Sequence, residues 1–171
     1  MVRKRGVRVA FEEFTADSLP RLLRFAVVLT GDRGLAEDVV QEVLLRVYGR
    51  WAKIGALDSP EHYVRRMIVN EYLSWRRRWG RVTPHSDPPV GLDPVSDHAA
   101  VHAERDALRV ELDKLPRRQR AVLVLRYYAG MSDTEIAEVL GCGAGTVRGY
   151  ASRALAALRV ELGQAPVKEH C

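Results

Sequence analysis

Residues 132–158 read SDTEIAEVLGCGAGTVRGYASRALAAL, and the fold is decided by how this stretch is read. Ser132 and Glu135 stand three residues apart ahead of an apolar run. That is the spacing of a capping box, in which each side chain satisfies a backbone N–H of the other residue. Ile136, Ala137 and Leu140 follow at helical spacing, and Gly141 ends the helix. A second helix is predicted from about Ala144 to Leu162, with Val147, Ala151, Leu155 and Leu158 facing inward. Ala137 is small where the two helices must approach closely. Two helices joined by a tight glycine turn match a helix-turn-helix.

This packing leaves Arg148, Tyr150, Ser152, Arg153 and Arg159 for the outer surface. A helix of this kind enters a major groove with its N-terminal half leading, where free backbone N–H groups and the helix dipole favour phosphate. Arg148 and Arg153, with Ser152 between them, fall where base edges or flanking phosphates would be met. A hairpin of helices with a solvated basic face is the plainer alternative. The capping box, the small inner residue and the basic outer face together favour a duplex reader.

Outward from this motif, the composition limits the class of protein. The chain has 171 residues, 47% apolar and 29% charged, enough for one ordinary domain or two small ones and not the composition of a disordered chain. Nowhere do about 18 apolar residues follow one another, so no spanning helix is expected. The start, MVRKRGVRVAFEEF, has no apolar stretch behind its basic residues, so no secretory signal is expected and the protein is read as cytoplasmic. Net charge is +5, and arginine supplies 23 of the 27 basic residues. An excess of that size fits a solubilising surface as well as a polyanion partner, so position matters more than total. Cys142 and Cys171 are too few for a disulfide scaffold, and Cys142, between glycines, reads as a buried structural thiol. His98 and His102 have i, i+4 spacing, but no further ligands accompany them and no metal or cofactor is expected.

No strand pattern is evident; glycine and proline punctuate the chain into helices. Residues 11–29 have helical spacing, with a break or new start expected near Asp17-Ser18-Leu19-Pro20. From Asp32 to Trp51, Leu35, Val39, Val40, Val43, Leu44, Val47, Tyr48 and Trp51 form one broad apolar stripe, and Gly55 breaks the segment. Ser59 and Pro60 restart a helix that runs to about Trp79, with Tyr63, Val64, Met67, Ile68 and Leu73 available for a core. Residues 80–95 hold four of the eight prolines and read as a linker. Beyond it come helices at about Ser96–Lys114 and Pro116–Tyr128, the second closed by Gly130. The expected fold is therefore all-α: two small helical bundles, 1–79 and 96–163, joined by a Pro-rich linker at 80–95, with a mobile tail at 164–171.

The third helix carries its own signal. Between Arg65 and Arg81 lie six arginines against one acid, Glu71, interleaved with Tyr72, Trp75 and Trp79. Basic residues track a backbone while aromatic faces accept unstacked bases, a combination suited to single-stranded nucleic acid. Stacking contributes about 1–3 kcal/mol per base. The competing reading is that the tryptophans are core, and one of the two is expected to be. On the second helix, Asp38, Gln41 and Leu45 lie within two turns on one side, and Asp38 and Glu42 are i, i+4 neighbours. One partner surface could meet all four, though by spacing alone an ordinary solvated face is the better reading.

The stretch LPRRQRAVLVLRYYAGMSDTEIAEVLGCGAGTVRGYASRALAAL resembles domain four of sigma-70-type factors, the part that reads the −35 promoter element. GDRGLAEDVVQEVLLRVYGRW at 31–51 is similar to region two of the same family. With SPEHYVRRMIVNEYLSWRRRW it resembles a compact, SigE-like subgroup of the extracytoplasmic-function (ECF) class. The resemblance spans roughly 11–79 and 105–162, and no region-three domain is present between them. It implies a non-enzymatic transcription initiation factor that directs core RNA polymerase to promoters and promotes opening of the −10 strand. It further implies polymerase contacts at Asp38, Gln41, Glu42 and Leu45, and −35 contacts at Thr146, Arg148, Gly149, Tyr150, Ser152 and Arg153. The −10 contacts it implies are Arg65, Arg66, Asn70, Tyr72, Trp75, Arg76 and Arg77. The partners implied are core polymerase and promoter DNA, duplex at −35 and single-stranded at −10. The free protein is expected to be a monomer, and whether an anti-sigma protein sequesters it stays open. Gly143 and Gly149 stand where the family usually has serines; the first weakens the start of the reading helix by a few tenths of a kcal/mol.

Two other readings remain. A one-component helix-turn-helix regulator predicts a homodimer on a palindromic site, and leaves the Trp/Arg helix without a task. A nucleic-acid enzyme requires clustered carboxylates or a nucleophile–base pair beside the basic surface, which Glu71 alone does not supply, and no phosphate-binding G-x-x-x-x-G-K-[ST] loop is present.

Overall fold

A computed structural model describes the backbone of residues 2–79 and 108–163, with side chains at 10–74 and 108–159. The described residues are helical and contain no strand. The chain separates into two compact units, Met1–Leu92 and Asp93–Cys171. The predicted linker at 80–95, the start of the helix expected at Ser96, His98, His102 and the 164–171 tail lie outside the described residues.

The N-terminal unit consists of α1 (Val2–Thr30), α2 (Arg33–Gly49), the single turn α3 (Trp51–Ile54) and α4 (Pro60–Trp79). The expected break near Pro20 does not occur: α1 runs through it. Proline cannot donate to the carbonyl one turn back and its ring crowds that carbonyl, at a cost of about 3 kcal/mol. Leu22, Phe25, Ala26 and Leu29, all fully buried, offset that cost, because a new helix start would swing them out of the core. Ser18, expected at the break, is instead buried within the helix and donates its hydroxyl to the Phe14 carbonyl at 2.6 Å.

Asp32 caps α2, accepting from the Leu35 N–H at 2.5 Å, and Gly31 makes the preceding turn at φ 77°. The stripe then enters the core through Ala36, Val39, Val40, Val43 and Val47. The helix ends at Gly49, short of Trp51, which begins α3. The Trp51 ring packs on Phe11 and Phe14 at centroid distances of 5.4 and 4.8 Å. A Cβ at residue 55 would lie 2.9 Å from that ring, so glycine is required there for close approach. Val64, Ile68, Val69 and Tyr72 of α4 complete the core. Met67 and Leu73 are only partly buried, and Tyr63 is exposed.

An ion cluster fastens α1 to α4. Arg21 bridges Asp17 at 2.8 Å and Glu61 at 2.9 Å, and Arg65 reaches the other Glu61 oxygen at 2.6 Å while lying 5.5 Å over the Phe25 ring. Burial pushes the Glu61 carboxyl up, but the Arg21 hydrogen bond and the charges of Arg65 and Arg21 outweigh it, so its pKa lies below the ordinary value.

In the C-terminal unit, α5, described at 108–114, leads through Leu115-Pro116 into α6 (Arg117–Leu123). The continuation expected to Tyr128 is present but wider: Val124–Tyr128 is a π-turn, closed by Ala129 N–H to the Val124 carbonyl at 3.0 Å. Then come α7 (Asp133–Leu140) and α8 (Ala144–Gly163). Both halves of the Ser132–Glu135 capping box form. Gly141 takes the left-handed conformation at φ 61°, and the Cys142 N–H closes on the Ala137 carbonyl at 3.0 Å. Cys142 is half-buried rather than buried, since the turn leaves one side of it to solvent. Leu115, Leu123, Ala154 and Leu158 form a core that ties α8 to the start of the unit.

A carboxyl whose folded pKa is depressed stabilises the fold above its unfolded pKa, about 4.3 for Glu, and loses that contribution as pH falls through the folded value. Glu61→Gln should therefore lower stability by about 1 kcal/mol at neutral pH, the figure for a half-exposed pair after solvent screening. The gap between the two proteins in thermal melts should close in acid. A gap that widened below pH 4 would remove the cluster from this account.

Candidate nucleic-acid interface

On α8, the spacing places most of the outward residues where they are found. Val147, Ala151 and Ala154 point into the core, which turns Thr146, Arg148, Ser152, Arg153 and Arg159 to solvent. Leu155 is only partly buried, and Ala154, fully buried, was the missed inner position; it follows Ala151 at i+3. Tyr150 is half-buried and carries the Arg153 guanidinium 5.3 Å above its ring, which holds a long side chain near one direction. Gly149 sits one turn before Arg153, and a Cβ there would lie 3.6 Å from the guanidinium, an ordinary contact. Gly143, with no side chain to cap α8, offers its carbonyl to the Thr146 and Val147 N–H groups at 2.9 and 3.2 Å.

Beside this face lies an open basic groove of about 720 Å³, lined by Arg126, Arg148, Arg159, Ser132 and Ser152. Arg126 belongs to the π-turn and is paired with Asp133, the first residue of α7. Burial opposes its charge, yet the Asp133 contact wins and its pKa is raised. The sequence reading missed Arg126, because a regular helix through 124–128 would give it another direction. Its seven-residue spacing to Asp133 was the available signal, legible only with the π-turn known.

On α4 the predicted residues do not form one surface. Asn70 is exposed and Arg66 half-exposed. Tyr72, expected among base-stacking aromatics, is 1% exposed: it faces the core between α4 and its neighbours, and its ring cannot meet a base while the unit is folded. Arg65 is committed to Glu61 and the Phe25 face, with its Nε buried and without a hydrogen-bond partner among the described residues. That makes it a tie between helices. Glu71, the lone acid of the segment, is also buried and pairs with Arg46. Trp75, Arg76 and Arg77 lie on α4, but their side chains fall outside the described residues.

On α2, Asp38, Gln41, Glu42 and Leu45 are all exposed, Leu45 to 64%. Gln41 and Leu45, with Glu37, line an apolar groove of about 440 Å³ whose other walls include Phe11, Leu19, Leu23, Leu44 and Tyr48, which spacing did not reveal. Tyr48, assigned to the buried stripe, is half-exposed at its rim, one ring contact from Phe11 at 5.2 Å.

Two helical units without a strand among the described residues, one a capped helix-turn-helix with an arginine-lined face, define the class: a modular helical DNA-binding protein. Family models agree unit by unit, Sigma-70 region 2 matching residues 15–82 and Sigma-70 region 4 matching 105–158. The RNA polymerase sigma-E factor of Streptomyces coelicolor is 39% identical over 158 residues, covering 92% of this chain and 88% of that protein. The ECF RNA polymerase sigma factor SigL of Mycobacterium tuberculosis is 38% identical over 147 residues, covering 82% of each. Among solved structures, the sigma factor RpoE from Bartonella quintana, in complex with the anti-sigma factor NepR, matches with TM-score 0.66 and 28% identity, covering 91% of this chain and 98% of that one. The chain belongs to the sigma-70 family of RNA polymerase sigma factors, in its ECF class. As a sigma factor it acts in promoter-directed transcription initiation, and sigma factors are not enzymes.

Arg153→Ala removes a side chain held over Tyr150 on the exposed face without touching the core. Its promoter selectivity should fall, by about 1–3 kcal/mol of discrimination at the affected −35 base pair. Competition between matched and mismatched −35 duplexes measures this, and unchanged discrimination would take Arg153 out of the reading set.

Proposed function

We propose that the N-terminal unit (residues 1–79) does two jobs with two helices. The exposed set Asp38, Gln41, Glu42 and Leu45 on α2 binds core RNA polymerase, with Gln41 and Leu45 at the edge of an apolar groove that a helix of the partner can fill. On α4, Asn70 and Arg66 meet the unpaired −10 strand, with Trp75, Arg76 and Arg77 following on the same helix. Binding of flipped bases and the polymerase itself drive strand opening, so no nucleotide hydrolysis is required of this chain. The observation that carries this reading is the exposed acidic–apolar face on a helix whose opposite side is core.

The C-terminal unit (96–163) reads −35 duplex with Thr146, Arg148, Gly149, Tyr150, Ser152 and Arg153 of α8. Arg126 and Arg159, beside them in the basic groove, add phosphate contacts. The free protein is a cytoplasmic monomer; no described helix is long and apolar enough to cross a membrane. Sequestration by an anti-sigma protein is part of the proposal, supported by the Bartonella quintana relative, which was solved with one.

Run-off transcription with purified core polymerase and genomic promoter fragments tests the whole. The protein should confer start sites that core enzyme lacks, and none gained would defeat the reading. Replacing Asp38 and Glu42 together by Ala should weaken capture of core polymerase in a pull-down about tenfold or more, while −35 duplex binding persists. Normal capture would place the interface elsewhere.

A further inference from the structure

Neither base recognition nor polymerase capture uses Glu71, yet it is a carboxylate only 4% exposed. A carboxylate drawn out of water is costly unless a cation and hydrogen bonds compensate it. Arg46 supplies a cation: a terminal nitrogen of its guanidinium is hydrogen-bonded to Glu71 Oε2. The Nε of the same group donates to the Glu42 carbonyl at 3.4 Å and lies 3.6 Å from the Glu42 carboxylate. One guanidinium thus touches a residue of the proposed polymerase face and the residue next to Asn70 on the proposed strand-reading helix. The contact crosses from α2 to α4, 25 residues apart in the chain.

We propose that Arg46 is a positioning residue that couples polymerase capture on α2 to −10 strand recognition on α4. The inference rests on the roles given to those two helices. Apolar packing by Val64, Ile68 and Tyr72 sets which side of α4 is inward but tolerates small rolls, whereas an ion pair to a buried carboxylate fixes a direction. The Glu71–Arg46 pair fixes the roll of α4, and Asn70, its neighbour, is exposed as a result. A cation of the partner that takes the Glu42 carboxylate displaces the weaker, longer arm of Arg46. The guanidinium is then left wholly to Glu71, which tightens the hold on α4. Coupling of this kind is reciprocal, so an engaged −10 strand tightens polymerase binding.

The test compares full-length wild type, Arg46→Ala, Arg46→Lys and the double variant Arg46→Ala with Glu71→Gln, each with core polymerase and a promoter duplex. Capture is read by titration of labelled core enzyme in the absence of DNA, opening by permanganate reactivity of −10 thymines on the promoter duplex, and folding by thermal melts. Arg46→Ala should open about tenfold less promoter at saturating polymerase, a change typical of residues in one ion-pair network, with capture changed about twofold or less. Arg46→Lys, which keeps the charge, should recover part of the opening. The double variant replaces the buried carboxylate by a neutral amide, so its melting should return toward wild type while opening stays low. Opening that returned together with melting would mean that Arg46 serves stability alone, and the proposal falls. It falls equally if Arg46→Ala opens promoter normally, or if its loss of opening only follows a loss of capture. Wild type that neither captures polymerase nor opens promoter would instead overturn the roles of α2 and α4 themselves.

Discussion

Val39, Val40, Val43 and Val47 leave water along one side of α2, and the chemistry of the opposite side is placed by that burial. Each such side chain contributes about 1.5–3 kcal/mol when fully buried, enough to fix the rotation of a short helix against two neighbours. Once the rotation is fixed, Asp38, Gln41, Glu42 and Leu45 have nowhere to go but solvent. The same burial draws α1 straight through Pro20, because Leu22 and Phe25 belong to the same core. A unit of this size has little apolar area to spare, so its polar ties matter. Arg21, Glu61 and Arg65 join α1 to α4, and Arg46 with Glu71 joins α2 to α4.

The C-terminal unit solves a different problem, that of holding α8 at a fixed angle to α7 with very few residues. Gly141 supplies the left-handed turn at almost no steric cost, and the capping box starts α7 cleanly just before it. The π-turn at 124–128 adds a residue to the last turn before the motif, and Arg126 within it pairs with the first residue of α7. The start of the first helix is thereby tied to the core helix behind it. Leu158, far along α8, anchors the other end against Leu115 and Leu123. Between these anchors the outward residues are free to meet a phosphate backbone.

Both units place arginine in two distinct ways. Arg148, Arg153 and Arg159 stay in water, where a cation costs nothing and a polyanion can reach it. Arg65 and Arg120 are drawn inward and paired with acids, Glu61 and Asp113, where planar forked donors suit a carboxylate. Composition alone therefore overstates the surface available to nucleic acid, and a count of basic residues on a helix does not separate the two uses.

The sequence by itself determined the elements and the motif: the valine stripe of α2, the Asp32 and Ser132 caps, the Gly141 turn and the outward residues of α8 all follow from spacing within one or two helical turns. Those signals are local, so periodicity captures them. Tertiary structure decided what depends on a neighbour distant in sequence. Tyr72 and Glu71 look like surface residues among arginines until α2 and α1 cover that side of α4. Pro20 looks like a break until the core on either side of it is seen to be continuous. The apolar groove beside Leu45 and the direction of Arg126 likewise exist only once the helices are packed, because each is a property of two segments and not of one. A helix pattern gives the faces a segment has, and only its partners decide which of them meet water.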